Sequence, residues 1–292
     1  MTERPPITGA TKVLAIFGRP VGHALSPLIH NAALAASGAD VVFVAFSPPP
    51  DQLETALRGL VAAGCAGLSI TIPFKTDIVP MLDELGESAR ATGAVNTVVV
   101  SGDGRLSGHN TDVDGMRRCL AALPARPRAR AVLLGAGGAA RAAVAALARA
   151  GVGHLTILNR TAGNADALAA GMAGGARQMT MDTEVLSDQT LARHIADAQL
   201  LVNTTSVGMY PHGDDTPVPA ALLHTDLDVI DAIYRPEPTR LCTEARAAGA
   251  HAVTGVDWII AQGVMALKYW LGLDADEAAM RAELARFLAQ QT

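Results

Sequence analysis

Ala131-Val-Leu-Leu-Gly135-Ala136-Gly137-Gly138-Ala139-Ala140-Arg141 runs an apolar stretch into a glycine-rich turn and then into an alanine-rich segment. A short apolar run ended by glycine has the length of a buried strand, and the alanines beyond it are strong helix formers. The spacing Gly135-x-Gly137-x-x-Ala140 puts small residues where a strand–turn–helix unit needs them. The first glycine permits the tight turn, the second lets backbone approach a ligand, and the small third residue lets helix and sheet pack closely. Behind such a turn the helix N-terminus offers free N–H groups and the positive end of the dipole, where an anion is stabilised. The stretch therefore predicts a dinucleotide-binding unit, with Gly135, Ala136, Gly137, Gly138 and Ala139 around the pyrophosphate.

Working forward, Leu155-Thr-Ile-Leu158 reads as the next strand and ends in Asn159-Arg160-Thr161. An Asp or Glu at that strand end would bind a ribose 2′-hydroxyl. Here no carboxylate stands in the way of a 2′-phosphate, and Arg160 can pair with one through charge-assisted hydrogen bonds. NADP is the expected cofactor, and NAD stays open. Further strands are predicted at 200–202 and 229–233. A helix is predicted over 239–248, and two more over 255–271 and 276–289.

Working backward, Pro124-Ala-Arg126-Pro127 breaks the chain and reads as a linker, with Arg126, Arg128 and Arg130 as a solvated basic run. Before it, apolar runs at 13–17, 41–46, 67–72 and 95–100 alternate with helical stretches at 28–37, 51–63 and 113–123. Ser26, just before Pro27, and Asp51 are expected helix caps, and Gly38 a helix stop. Residues 102–108 read as a hairpin or turn. Strand–helix alternation on both sides of the break predicts an α/β chain with a mostly parallel sheet. At roughly 100–200 residues per domain, 292 residues suggest two domains.

A net charge of −5 argues against a nucleic-acid partner, which would call for a clustered excess of Lys and Arg. Cys65, Cys119 and Cys242 stand alone, as expected in a reducing compartment, and no His or Cys spacing suggests a metal site. The opening MTERPPITGATK lacks the apolar core of a signal peptide, and no stretch approaches the ~18 apolar residues of a membrane span. A cytoplasmic protein without a membrane partner is expected.

The first half also carries polar groups at strand ends. Ser69 and Thr71 alternate with Leu68, Ile70 and Ile72, which puts both hydroxyls on one face of a strand. Pro73 ends that strand, and Lys75 follows at its C-terminal edge, where open α/β sheets bind ligands. Lys75 is the only lysine between Lys12 and Lys268 in a chain that otherwise uses arginine. An amine can give up its proton where a guanidinium cannot. Asp112, after His109-Asn-Thr111, is either a helix cap, a role for which Asp114 competes, or the carboxylate partner of Lys75 in proton transfer.

These segments, in this order, resemble the shikimate dehydrogenase family. The resemblance lies in Gly18-x-Pro20-x-x-His23-x-x-Ser26-Pro27-x-x-His30-Asn31, Thr71-x-Pro73-Phe-Lys75, Gly93-Ala-Val-Asn96-Thr97 and Asn110-Thr-Asp112. It continues in the glycine turn, Asn159-Arg-Thr161, Asn203-Thr204-Thr-Ser-Val-Gly-Met209, Asp231-Ala232-Ile-Tyr234-x-Pro236 and Gly255 through Gln262. The resemblance implies a substrate-binding domain, residues 1–113 completed by the C-terminal helices 254–292, and a Rossmann NADP domain, residues 114–253, with the reaction in the cleft between them. It implies Lys75 and Asp112 as the catalytic proton-transfer pair. Asn96 and Gln262 would orient ring hydroxyls, and Ser26, Thr71 and Tyr234 would hold a carboxylate. Ser69 joins this substrate set. Asn159, Arg160, Thr161, Thr204, Ala232 and Gly255 join the glycine turn as cofactor contacts.

The implied activity is the reversible NADP-dependent reduction of 3-dehydroshikimate, a step of aromatic amino acid biosynthesis towards chorismate, by a monomer or homodimer. Ala24 and Ser69 stand where the family usually has Ser and Asn, and Asn164 where it often has a second Arg. They leave open quinate, an aminated shikimate or another hydroxy-acid as substrate, possibly with NAD. A non-catalytic dinucleotide sensor is a further alternative, opposed by the retention of Lys75 and Asp112.

Overall fold

The computed structural model describes residues 5–290, so the first four residues of the opening stretch read for a targeting signal lie outside it. The chain divides into two compact units, Met1–Thr111 with Ile260–Thr292, and Asp112–Ile259.

The first unit contains β1 (Lys12–Phe17), α1 (Ser26–Ser37), β2 (Val41–Phe46), α2 (Leu53–Ala62), β3 (Gly67–Ile70), β4 (Glu84–Leu85), α3 (Glu87–Thr92), β5 (Thr97–Val100) and β6 (Leu106–His109). Its sheet order is β2-β1-β3-β5-β6-β4. β1 pairs in parallel with β2 and β3, whereas β5 runs antiparallel to β3 and β6. The sheet is therefore mixed. The antiparallel part follows from the tight turn between β5 and β6, where Gly104 adopts φ +82° and Ser101 N–H bonds to the Arg105 carbonyl.

Three local expectations shift. Ser26 is the first residue of α1 rather than its cap, which is Leu25 without a side-chain bond. Asp51 lies in a short 3-10 turn, Pro50–Gln52, and the helix begins at Leu53 without it as cap. The third strand stops at Ile70, two residues early. Pro73 has no N–H to give a ladder, and Phe74 N–H turns back to the Thr71 carbonyl, so Thr71–Phe74 closes into a turn.

The second unit contains α4 (Asp112–Ala122), β7 (Arg130–Leu134), α5 (Gly138–Arg149), β8 (His154–Asn159), α6 (Ala162–Met172), β9 (Thr180–Val185), α7 (Asp188–Ile195), β10 (Leu200–Asn203), β11 (Asp228–Asp231), α8 (Arg240–Ala247) and β12 (His251–Val253). α9 (Gly255–Leu271) starts in this unit and continues into the first, where α10 (Glu277–Ala289) ends the chain. The sheet order is β12-β11-β10-β7-β8-β9, and every pairing is parallel. The chain reverses direction across the sheet between β7 and β10, the switch point where such sheets bind ligands. Ala140, Ala142, Ala143, Ala145 and Ala146 of α5 are buried, and their small side chains bring the helix close to the sheet.

The Pro124–Pro127 stretch lies inside this unit and is not a linker between the two. Of the three arginines read as a solvated run, Arg130 is exposed at the start of β7, but Arg126 and Arg128 are not solvated. Arg126 Nη2 and Arg128 Nε each lie 2.6 Å from a carboxylate oxygen of Asp228, which is wholly buried at the start of β11. A buried carboxylate is tolerated only when paired and hydrogen-bonded, and these two guanidinium groups supply the pairing.

Among the described residues no helix is long and apolar enough to cross a membrane, and no cluster of three His, Cys, Asp or Glu could hold a metal ion.

Candidate active site

In the second unit, Gly135 follows β7 with φ +101°, and a Cβ there would lie 2.8 Å from Thr204 Oγ1. Thr204 is held in turn by its own N–H and hydroxyl, both donating to the Leu134 carbonyl at 2.9 and 2.7 Å. The loops after β7 and β10 are thus locked together at the switch point. Gly137 is the cap of α5 and brings no side-chain bond to its first turn, and a Cβ at Gly137 would meet nothing within 4 Å. Uncapped helix N–H groups beside open space suit a pyrophosphate. At the end of β8, Asn159 Nδ2 donates to the Thr161 carbonyl at 2.9 Å and shapes the turn that leaves Arg160 exposed.

The ends of β10 and β11 are tied by a buried network. Asp231 accepts hydrogen bonds from Asn203 Nδ2 (2.9 Å), Ile233 N–H (3.2 Å) and the Thr239 hydroxyl (2.8 Å). Burial pushes the Asp231 carboxyl up to about 6, although these three donors pull it down. Ala232 N–H donates to the Asn203 carbonyl, and Gly255 N–H to the Ile233 carbonyl. A Cβ at Gly255 would run into the Ala232 carbonyl, so only glycine lets α9 begin here.

At the head of α4, Asp112 is buried and its Oδ1 accepts a hydrogen bond from Trp258 Nε1 at 3.2 Å. It is a helical residue, not a cap outside the helix.

In the first unit, a second set of polar groups collects where β3 ends. Ser69 is buried and paired in register with Thr97 of β5. Asn96, also buried, accepts hydrogen bonds at Oδ1 from Thr111 N–H (2.8 Å), the Thr111 hydroxyl (3.2 Å) and the Thr97 hydroxyl (2.9 Å). That set of donors fixes the orientation of the amide and leaves its NH2 as the group to donate to a ligand. Thr71 packs on Gly18, where any Cβ would strike the Thr71 methyl. Arg19 N–H bonds to the Ile72 carbonyl, and Val95 N–H to the Lys75 carbonyl at 2.8 Å. The loop that starts at Gly18 and leads to Ser26, the Thr71–Lys75 turn and the lead-in to β5 are therefore one hydrogen-bonded assembly. Lys75, Thr71 and Ser26 are half-buried on it. Gln262 is also half-buried, on α9, about two turns before Trp270. Trp270 anchors that helix: its indole covers Gly67, where a Cβ would collide with it, and Nε1 donates to the Val98 carbonyl at 2.9 Å.

The family model of the shikimate dehydrogenase substrate binding domain matches residues 16–98, and that of shikimate / quinate 5-dehydrogenase matches residues 121–210. The NADP(+) shikimate dehydrogenase of Methanothermobacter thermautotrophicus is 40% identical over 283 residues, 97% of this chain and 99% of its own. The chain belongs to the shikimate dehydrogenase family. A solved shikimate dehydrogenase in complex with NADP+ superposes with a TM-score of 0.88 at 34% identity, covering 97% of this chain and 98% of that one. Quinate dehydrogenase from Corynebacterium glutamicum in complex with NAD superposes with a TM-score of 0.87 at 32% identity, covering 94% and 99%.

Of the residues that the family resemblance singles out, Ser26, Ser69, Thr71, Lys75, Asn96 and Gln262 lie in the first unit. Asp112, Tyr234 and the cofactor set lie in the second. Sequence reasoning quoted Thr111, Trp258 and Asp231 only as members of motifs and gave none of them a role; in the structure they bond to Asn96, Asp112 and Asn203. One signal was available for Trp258. Gly115 stands inside a helix, where glycine is unfavourable, and a close neighbour is one reason for such a glycine, although Gly59 and Gly163, also helical, have none.

Proposed function

We propose that this chain catalyses the reversible reduction of 3-dehydroshikimate to shikimate with NADP, a reading supported by its likeness to a relative named as an NADP(+) shikimate dehydrogenase. The observation that carries the cofactor choice is the second unit's switch point. An uncapped α5 lies behind a glycine at positive φ there, and the end of β8 offers Arg160 and no carboxylate. Gly135 to Ala139, Thr204, Ala232 and Gly255 would line the dinucleotide, and Asn159, Arg160 and Thr161 its 2′-phosphate. NADP bound there would supply the redox partner, as hydride donor (NADPH) in reduction and hydride acceptor (NADP+) in oxidation.

The chain's own residues handle the proton and the position. Lys75 Nζ gives a proton to the carbonyl oxygen in reduction and takes it from the hydroxyl in oxidation. Asp112 accepts a hydrogen bond from that hydroxyl. Asn96 NH2 and Gln262 hold the other ring hydroxyls, while Ser26, Ser69, Thr71 and Tyr234 hold the carboxylate end. Such positioning can contribute up to about 7–11 kcal/mol to a bond-making step. A cytoplasmic location and a monomer or homodimer belong to the same proposal, the latter to be tested by light scattering.

A second reading, a quinate dehydrogenase using NAD, is favoured by Ala24 and Ser69 and by the likeness to the Corynebacterium enzyme. The deciding experiment compares kcat/KM for shikimate and quinate with each cofactor. Shikimate with NADP should lead, and a lead for quinate with NAD would replace the first reading by the second. Lys75→Ala should retain NADP affinity and lose at least ~100-fold in turnover, the scale of acid–base catalysis. Near-normal turnover would remove Lys75 from the mechanism.

A further inference from the structure

Trp258 is buried on α9, and its indole N–H points at the carboxylate that opens α4. The contact spans 146 positions of sequence, so nothing local imposes it. α4 makes room for it. Gly115, one turn after Asp112, is the position where a Cβ would run into the indole ring and come within 2.8 Å of the Trp258 carbonyl. Val113 and Met116 on the same helix share the buried core cluster that holds Trp258. Asp112, Gly115 and Trp258 thus form one built unit: a carboxylate, a gap and a ring that fills the gap.

We infer that Trp258 is a positioning residue for the reaction, holding the Asp112 carboxylate through its indole N–H so that Asp112 acts as a hydrogen-bond acceptor towards substrate. The chemistry of the donor supports this. An indole N–H can only donate, so it offers Asp112 a partner that never competes for a proton and never accepts one. A hydrogen bond to an ionised acceptor is short-ranged and directional, and one anchored oxygen removes the rotation that would let the other oxygen wander. A catalytic group that strays by a fraction of an ångström loses much of its effect, which is why orienting partners matter. The inference rests on the reading of Asp112 as a catalytic residue, and the test below separates the two.

The clean substitution is Trp258→Phe, which keeps an aromatic ring in the gap over Gly115 and removes only the N–H. It is combined with Asp112→Ala in a double-mutant cycle, measured as kcat and KM for shikimate with saturating NADP, with melting curves to confirm folding. Trp258→Phe alone should lower kcat ~10-fold, as loss of a hydrogen bond to a charged group does, and leave the affinity for NADP unchanged. In the Asp112→Ala background, which leaves the indole N–H no side-chain oxygen to bond, the same substitution should lower kcat no further, because its effect passes through the carboxylate. A ring with only a structural role would lower kcat equally in both backgrounds. That result, or no loss from Trp258→Phe in the wild-type background, overturns the inference and leaves Asp112 in place. Near-normal turnover of Asp112→Ala overturns the reading of Asp112 and this inference with it.

Discussion

Replacing Asp231 by Asn should abolish one pH-dependent component of stability. Asp231 is 1% exposed and ties Asn203, Ile233 and Thr239 together at the ends of β10 and β11. Its carboxyl is raised from an ordinary 3.8 to about 6, chiefly by burial. Between these two values the folded chain keeps a proton that the unfolded chain has released. Stability from this group is therefore fully present below about pH 4 and is lost as pH rises through about 6. At ~1.4 kcal/mol per pH unit, a shift of roughly two units amounts to about 3 kcal/mol. Asn cannot titrate, yet its oxygen can still accept from Asn203 and Ile233 while Thr239 turns its hydroxyl to accept. The assay is denaturant unfolding of both proteins, followed by Trp258 emission in a Trp270→Phe background, at intervals from pH 3.5 to 7.5. The wild type should lose about 3 kcal/mol relative to Asp231→Asn across that range, with other groups cancelling in the difference. A difference that stays flat to within ~0.5 kcal/mol would refute the burial argument, since that is the scatter expected of independent changes.

Arg160→Ala should weaken NADP by ~10- to 100-fold and NAD by much less, since it removes a charge-assisted bond to the 2′-phosphate alone. Equal losses in titrations with both cofactors would undo that assignment. Gly255→Ala drives a methyl into the Ala232 carbonyl, so it should lower NADP affinity and the melting temperature together. Wild-type values in both would mean that α9 can shift without disturbing the loop after β11. Replacing Arg126 and Arg128 together by Ala removes both hydrogen-bonded guanidinium partners of the buried Asp228, leaves it His251 Nδ1 at 3.7 Å, and should destabilise the second unit by ~3–5 kcal/mol at neutral pH. A loss below ~1 kcal/mol, the value of an exposed pair, would show that water reaches Asp228.

Much of the fold was legible locally. The strand–turn–helix at Ala131–Arg141, the helix stop at Gly38 and the helices expected over 239–248 and 276–289 are each set by a few neighbouring residues, among them the caps Thr239 and Asp276, which the structure adds. β9 and β12 were not legible. β9 is a half-exposed edge strand made largely of polar residues, and β12 has three residues, so neither carries an apolar run. The order of motifs, from Gly18 to Gln262, was enough to place the chain in its family, because each motif records what a turn or a ligand demands of adjacent positions.

Sequence by itself thus determined the glycine turn and the kinds of polar group that stand near the strand ends: one amine, one carboxylate, a row of hydroxyls and amides. Tertiary structure alone decided who partners whom. It set Arg126 and Arg128 on Asp228 across about 100 positions, Thr111 on Asn96 across 15, and Trp258 on Asp112 across 146. The physical reason is that backbone period and turn chemistry act over a few residues. A buried polar group instead takes its partner from whatever the sheet order and helix packing bring beside it.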